Sequence, residues 1–180
     1  KRAGRSAAND PGIAGLLDAW TCLLEGGLRV PLLLAGGAPP SAAPLLERLT
    51  RPPLAGVVRH VGYLEEADRE AFYASARLLV LPSFDEGFGL PLVEAMAAGV
   101  PVVASQRGAL PEVGGDAAVY VDPDDPRAMA TVIASLLGDA GRLETMRARG
   151  AARVGQFSWQ SSAVGLWAAY GQAIARRSAR

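Results

Sequence analysis

The sequence predicts an α/β fold in which a doubly wound parallel sheet lies between two helical layers, with a helical extension at the C-terminus. Short apolar runs bounded by glycine or proline alternate along the chain with segments of helical periodicity. Strands that alternate with helices pair in parallel, with the helices covering both faces of the sheet. Half of the 180 residues are hydrophobic, which allows a sizeable core and excludes general disorder.

The predicted strands are apolar segments of the length expected for strands that are buried on both faces. They are VPLLLAGG from Val30, VVRHVG from Val57, ARLLVLPS from Ala76, VPVVAS from Val100 and AAVYVD from Ala117. In sheets of this kind ligands bind beyond the carboxyl ends of the strands. The loops to search for a site are therefore those that follow Ala35, Gly62, Pro82 and Ala104.

The first predicted helix carries apolar residues three and four positions apart between Ile13 and Leu24. Asp10 can cap this helix, Pro11 suits its first turn, and Gly26 suits its end. The other predicted helices cover Ala42–Arg51, Glu65–Ala74, Pro91–Ala98 and Gly141–Gln156, followed by a long final helix that begins after Ser158. A further predicted helix is opened by Asp125-Pro126, carries an apolar stripe from Met129 to Leu137 and is closed by Gly138.

Three further features receive structural interpretations. Trp159 and Trp167 are expected to anchor packing rather than to stack on a sugar, and the segment with Glu112 and Gly114 is expected to form a turn. His60 lies in a predicted strand, and we expect a structural or edge-of-site position for it, not an acid/base role.

Charge and residue counts exclude several classes of function. The 18 basic residues balance the 18 acidic ones, which argues against nucleic acid or an anionic membrane as a bulk electrostatic partner. With Cys22 as the single cysteine and His60 as the single histidine, clusters of these residues cannot bind a metal. Neither a secretory signal nor a stretch of about 18 apolar residues is present. We therefore expect a soluble, cytoplasmic chain without a transmembrane segment.

The most informative stretch is PSFDEGFGLPLVEAMAAG, residues 82–99, where a strand, a glycine turn and a helix follow one another. Free N–H groups at the start of a helix favour an anion such as phosphate. Glu86 precedes that start and Glu94 lies about one turn inside it, so both can border one cleft. Carboxylates accept hydrogen bonds from a vicinal diol, which suits a ligand that joins phosphate to polyols. The alternative is a common turn in which Glu94 is a solvated helix residue.

The stretch from Val58 to about Tyr170 resembles the C-terminal, nucleotide-sugar-binding domain of retaining family 4 glycosyltransferases of the two-domain Rossmann-like (GT-B) fold. The matching strings are HVGYLEEADREAFYASARLLVLPS, FDEGFGLPLVEAMAAGVPVVAS, GALPEVGGDAAVYVDPDDPRAMATVIASLL and FSW. The most specific mark is the pair Glu86 and Glu94, with seven residues between them. The resemblance implies a Rossmann-like domain over residues 1–156 and a C-terminal helix over 157–180 that crosses to an N-terminal domain.

The resemblance also implies roles for residues. Glu86, as the catalytic residue, would hydrogen-bond hydroxyls of the donor sugar, and Glu94 would bind the ribose hydroxyls. The main-chain N–H groups of Gly87, Phe88, Gly89 and Leu90 would hold the sugar and the diphosphate, Arg5 would contact the diphosphate, and the turn Gly62-Tyr63-Leu64 would meet the nucleobase. Ser83 would support the site. The reaction would transfer a hexosyl group from a nucleoside-diphosphate sugar, with no metal or other cofactor.

The sequence departs from the family in two ways. Pro11 stands where the family has a lysine that contacts the diphosphate, and Lys1 is the only lysine in the chain. Loss of one electrostatic group at a leaving group costs on the order of 3 kcal/mol of barrier. The family also has an N-terminal Rossmann-like domain that carries the acceptor site, and that domain is the expected partner of this chain. Peripheral contact with a membrane is an alternative that the sequence does not decide.

Two functions therefore compete, namely the donor-binding half of a glycosyltransferase and a non-catalytic, truncated or degenerate binding module. A dehydrogenase-like nucleotide-binding domain is a third possibility. It requires a Gly-x-Gly-x-x-Gly turn after the first strand, and Ala35-Gly36-Gly37 lacks that spacing.

Overall fold

The structure is a computed structural model that describes residues 11–178. Within the last helix, the side chains that are not described are those of Trp159, Ser161, Ala173, Ala175 and Ser178. Asp10, the expected cap of the first helix, and Arg5, an expected diphosphate contact, lie outside the described residues.

Strands and helices alternate through most of the chain. The strands are β1 Leu32–Ala35, β2 Val58–Gly62, β3 Leu79–Leu81, β4 Val102–Ser105 and β5 Ala118–Val121. The helices are α1 Pro11–Glu25, α2 Ala43–Arg48, α3 Glu66–Ala74, α4 Leu90–Ala97, α5 Leu110–Gly114, α6 Pro126–Leu137, α7 Ala140–Val154 and α8 Trp159–Ser178. Short 3-10 turns cover Pro40–Ala42 and Gly115–Ala117.

Every strand pair is parallel, which confirms the predicted α/β class. In the described part of the chain the ladders form two groups, β1 with β2 and β3 with β4 and β5. Leu32 lies opposite Val58 in the first group. In the second group Val103 of β4 lies between Val80 and Val119.

Helices cover both faces of the central strand β4. Val103 of β4 belongs to a hydrophobic cluster that also contains Leu34 of β1, Leu17 of α1 and Ile133 of α6. The neighbouring residue Val102 belongs to a second cluster, with residues of α4 and α5. Because successive side chains of a strand point to opposite faces, the two clusters lie on opposite sides of β4. The first cluster contains residues of both strand groups, so one helical layer covers both.

Burial differs among the strands. All four residues of β4 are buried, as the sequence predicts, whereas the three residues of β3 are half-buried and Leu33 of β1 is 41% exposed. The prediction of burial on both faces therefore holds for β4 and is wrong for β1, β2 and β3, since Val61 of β2 is also exposed. β4 has a hydrogen-bonded neighbour on each side, while these three are edge strands of their groups within residues 11–178.

Two helical segments differ from the prediction. The helix expected over Ala42–Arg51 ends at Arg48 and continues into turns, because the residue before a proline avoids helical geometry and Pro52-Pro53 follow. The segment expected to be a turn forms α5, which contains Glu112 and ends at Gly114. Asp125 caps α6 and Asp139 caps α7, each accepting a hydrogen bond at 2.9 Å from a first-turn N–H group.

The last helix, α8, presents apolar side chains to solvent. Trp167 is 80% exposed, so the expectation that it anchors packing is wrong within this chain. The other large hydrophobic residues that are exposed on this helix are Val164, Leu166, Tyr170 and Ile174.

Candidate functional site

A cavity of about 600 Å³ runs along β1 and β3 and extends past their carboxyl ends. Its apolar lining includes residues of the two strands together with Ile13 and Leu16 of α1. Beyond the end of β3 it is lined by Ser83, Asp85 and Glu86. The loop after Pro82, one of the four in which the sequence predicts a site, therefore borders the cavity.

The glycine turn before α4 takes the geometry that the motif requires. Gly89 precedes the helix with φ 89°, a left-handed conformation that glycine adopts without strain. A Cβ atom there would lie 2.6 Å from Leu110 Cδ2. Leu92 and Val93 donate to the Gly89 carbonyl at 3.0 and 3.3 Å, and Pro91 has no N–H group. At this helix start, the amides of residues 87–90 are thus the ones considered for an anion.

The main chain of Glu86 is held by the loop after β4. Ala109 N–H donates to the Glu86 carbonyl at 3.0 Å. Gly108, with φ 60°, packs so closely that a Cβ atom would lie 2.8 Å from the Glu86 carbonyl oxygen and 2.9 Å from its nitrogen. Gly108 begins the string GALPEVGG, which resembles the family, but no local pattern shows which segment it contacts.

Arg107 supports the same loop from the neighbouring side. Its guanidinium lies 4.7 Å from the centre of the Phe84 ring and pairs with Asp122 at 3.4 Å and with Asp124. A cation over an aromatic face is attracted by the ring quadrupole, so Arg107 connects the loop after β3 to the loop after β5.

Phe88, in the glycine turn, makes an edge-to-face contact with Phe157, with ring centroids 5.8 Å apart. The Arg153 guanidinium lies 5.1 Å from the Phe157 ring, and its Nε donates to the Val113 carbonyl of α5 at 2.8 Å. These contacts link the glycine turn to α7 and α5. The string FSW in the sequence therefore contributes Phe157 to the support of the candidate site.

Glu94 lies on α4 and contacts α3. Tyr73 Oη donates to Glu94 Oε2 at 2.9 Å, and Arg69 Nη1 donates to Oε1 at 3.4 Å. Burial, followed by the hydrogen bond to Glu94, raises the pKa of the Tyr73 phenol well above its usual value, so it stays a donor at neutral pH. Tyr73 lines the cavity. Glu94 is not among the lining residues and contacts the cavity wall through Tyr73.

The turn after β2 lies beside the turn after β1. Gly36 N–H donates to the Gly62 carbonyl at 2.8 Å, and His60 Nε2 is 2.8 Å from the Gly36 carbonyl oxygen. His60 also lines the cavity, as expected for a histidine at the edge of the site. Tyr63 is 70% exposed, and neither it nor Leu64 lines the cavity.

Pro11, at the first position of α1, lines the cavity too. The position expected to carry a lysine is therefore beside the candidate site and has no charge. Among the described residues no three His, Cys, Asp or Glu side chains converge as a metal site requires. None of the helices in residues 11–178 is long and apolar enough to cross a membrane.

The fold and the cavity define a class, an α/β domain with an open ligand cavity at the carboxyl edge of parallel strands. Comparison with known proteins narrows this class. Residues 2–139 match the family model of glycosyl transferases group 1. The chain belongs to this family.

A curated relative supports the assignment. The chain is 43% identical over 150 residues to O-antigen chain mannosyltransferase B of Escherichia coli, which covers 83% of this chain and 39% of the relative. The chain thus spans about two-fifths of the length of that enzyme.

Solved glycosyltransferase structures share the fold. Sucrose-phosphate synthase from Thermosynechococcus elongatus has a TM-score of 0.77 at 28% identity, over 90% of this chain and 43% of that one. HepE of Anabaena, solved in complex with UDP and glucose, has a TM-score of 0.70 at 27% identity, over 79% of this chain and 39% of that one. The structural neighbours are enzymes of the GT-B type, so the predicted fold is confirmed.

Proposed function

We propose that the chain is the donor-binding domain of a retaining family 4 glycosyltransferase, which moves a hexosyl group from a nucleoside-diphosphate sugar to an acceptor. The observation that carries the proposal is the cavity at the carboxyl ends of β1 and β3, which is lined by Glu86 and Pro91, the residues on either side of the segment 87–90 that contains the glycine turn before α4. HepE, a relative in fold with bound UDP and glucose, supports this class of donor.

The proposed roles follow from the chemistry of each group. Main-chain amides of residues 87–90 hold the diphosphate and the sugar, because the N–H groups before a helix favour negative charge. Glu86 accepts hydrogen bonds from the sugar hydroxyls, and Glu94 accepts them from the ribose. As negative charge develops on the leaving diphosphate, fixed N–H donors stabilise it. Arg5 contributes a positive charge, and the turn Gly62-Tyr63-Leu64 meets the base.

The acceptor belongs to a partner domain in this proposal. The chain covers 39% of the E. coli relative, and helix α8, Trp159–Ser178, has exposed apolar side chains that suit docking to another Rossmann-like domain. The proposed reaction requires no metal, since amides and Arg5 stabilise the leaving group.

Calorimetric titration of the chain with UDP, GDP and ADP tests the donor role. We expect at least one of them to bind with a Kd below 1 mM and Glu94→Ala to weaken that binding at least tenfold, because the ribose loses its acceptor. Glu144→Ala is the matched control, since Glu144 lies on α7 and pairs with Arg147. Absence of binding for all three nucleotides at millimolar concentration contradicts the proposal.

Pro11 favours the second candidate function, a non-catalytic binding module. It lines the cavity where the family has a lysine, and one charge for the leaving diphosphate is therefore absent. A transfer or donor-hydrolysis assay separates the two functions. Turnover by the chain alone, or joined to an N-terminal domain, excludes the module, whereas nucleotide binding without turnover in both forms supports it.

A further inference from the structure

The contact between α3 and α4 controls the orientation of the Glu94 carboxylate. Arg69 and Tyr73 are four positions apart on α3 and so lie on the same helix face. They donate to different oxygens of Glu94, Tyr73 to Oε2 at 2.9 Å and Arg69 to Oε1 at 3.4 Å. The tyrosine bond has normal hydrogen-bond length, while the arginine contact is long. The short bond from Tyr73 therefore dominates the orientation.

The two contacts leave acceptor capacity on both oxygens. A carboxylate has about four lone-pair positions, and Tyr73 and Arg69 take one on each oxygen. One position then remains on each oxygen of Glu94. Two neighbouring hydroxyl groups, as in the 2′,3′-diol of ribose, can donate to these two positions together.

Removal of the Tyr73 hydroxyl changes which of the two donors, Tyr73 or Arg69, orients the Glu94 carboxylate. Arg69 is a cation with a forked set of donors, and such groups favour contact with both oxygens of a carboxylate. Without the competing bond to Oε2, we expect the Glu94 carboxylate to turn toward Arg69. One lone-pair position then still remains on each oxygen, but the turned carboxylate no longer presents these two positions together to the diol.

We propose that Tyr73 is a positioning residue that holds Glu94 ready for the ribose diol and thereby sets selectivity for ribonucleotides over nucleotides without these hydroxyls. The proposal rests on the proposed function, because it takes Glu94 as the group that binds ribose. Tyr73 acts through Glu94, and its own ring forms part of the cavity wall.

The test is calorimetry with two ligands, the best-bound of UDP, GDP and ADP and its 2′,3′-dideoxy analogue. We expect Tyr73→Phe to weaken binding of the ribonucleotide about fivefold, the loss typical of one hydrogen bond, and binding of the dideoxy analogue less than twofold. Tyr170→Phe, an exposed tyrosine on α8, is the control and should leave both affinities unchanged.

A second variant separates positioning from packing. Tyr73→Phe combined with Arg69→Met removes the cation that draws the carboxylate away, and we expect it to restore at least half of the lost selectivity. A merely structural role of Tyr73 predicts no such recovery. If Tyr73→Phe alone does not fold, Arg69→Met is measured with both ligands: retained selectivity for the ribonucleotide supports Tyr73 as the residue that orients Glu94, and loss of that selectivity shows that Arg69 orients it and overturns the inference.

Two results overturn the inference while the proposed function stands. One is an equal loss of affinity for both ligands in Tyr73→Phe, and the other is an unchanged affinity for the ribonucleotide. Failure of the unaltered chain to bind any of the three nucleotides contradicts the proposed function instead, and the positioning role fails with it.

Discussion

At the residue scale, the candidate site depends on contacts with glycine as much as on its acidic groups. Glu86 and Glu94 are the chemically conspicuous residues, and their spacing in the sequence identifies them. Gly108 and Gly89 are inconspicuous, yet each occupies a place where a Cβ atom would collide with a neighbour. The Glu86 main chain can therefore hold its position only because Gly108 has no Cβ atom.

Gly108→Ala should lower the free energy of unfolding by about 2 kcal/mol, because a left-handed alanine is strained and its Cβ displaces the Glu86 main chain. We also expect nucleotide binding to weaken, since Glu86 moves. Thermal unfolding and calorimetry measure the two effects.

Gly165→Ala is the matched control for that variant. Gly165 lies in α8 with nothing near its missing Cβ, so alanine should stabilise the helix by up to about 1 kcal/mol. Equal stability of Gly108→Ala and the unaltered chain would show that the loop relaxes around the added methyl group.

At the element scale, α7 supports the site by fixing α5. Arg153 of α7 donates to the main-chain carbonyls of Val113, at 2.8 Å, and Glu112, at 2.5 Å. These carbonyls lie at the end of α5, where helical carbonyl groups lack partners within the helix. A cationic side chain is well suited to the last turn of a helix, so the ends of two elements stabilise each other.

Arg153→Met should destabilise the chain by about 1–2 kcal/mol, because two hydrogen bonds from a charged donor are lost at a partly exposed position. Chemical denaturation measures this difference. Arg147→Met on the same helix removes only a surface pair with Glu144 and should change stability by about 0.5 kcal/mol or less. If the two variants are equally stable, the contact with α5 is not the source of the effect.

At the scale of the whole molecule, the described strands form two groups beneath one shared helical layer. β1 and β3 each have one paired edge, and both line the same cavity. Their incomplete burial follows from this arrangement and not from their composition, since LLLA and LVL are as apolar as the buried strand VVAS.

Hydrogen exchange should distinguish the amides at the paired edges of β1 and β3 from those at their unpaired edges within the described strands. Leu32 N–H donates to Val57 and Leu79 N–H donates to Pro101, so the alternate amides of Leu33 and Val80 point to the unpaired edges. We expect these two amides to exchange about 100-fold faster than that of Val103 in β4. Similar protection at Val80 and Val103, measured by NMR, would mean that this edge is covered.

The sequence by itself determined the order of strands and helices, the fold class and the location of the candidate site. These follow from local signals, namely apolar periodicity, caps such as Asp125, and a glycine turn that opens a helix. These signals gave a wrong prediction for α5, which is a short helix instead of the expected turn. They also placed the end of α2 too late, since the helix ends at Arg48 and not at Arg51.

Only the tertiary structure decided how the site residues are held. Tyr73 and Glu94 are 21 positions apart, and Gly108 touches Glu86 from the loop of a different strand. Contacts of this kind depend on how helices pack and on which strands are neighbours, and no pattern of neighbouring residues records them. The exposure of β1, β3 and Trp167 is likewise a property of what surrounds them, because burial depends on neighbours in space.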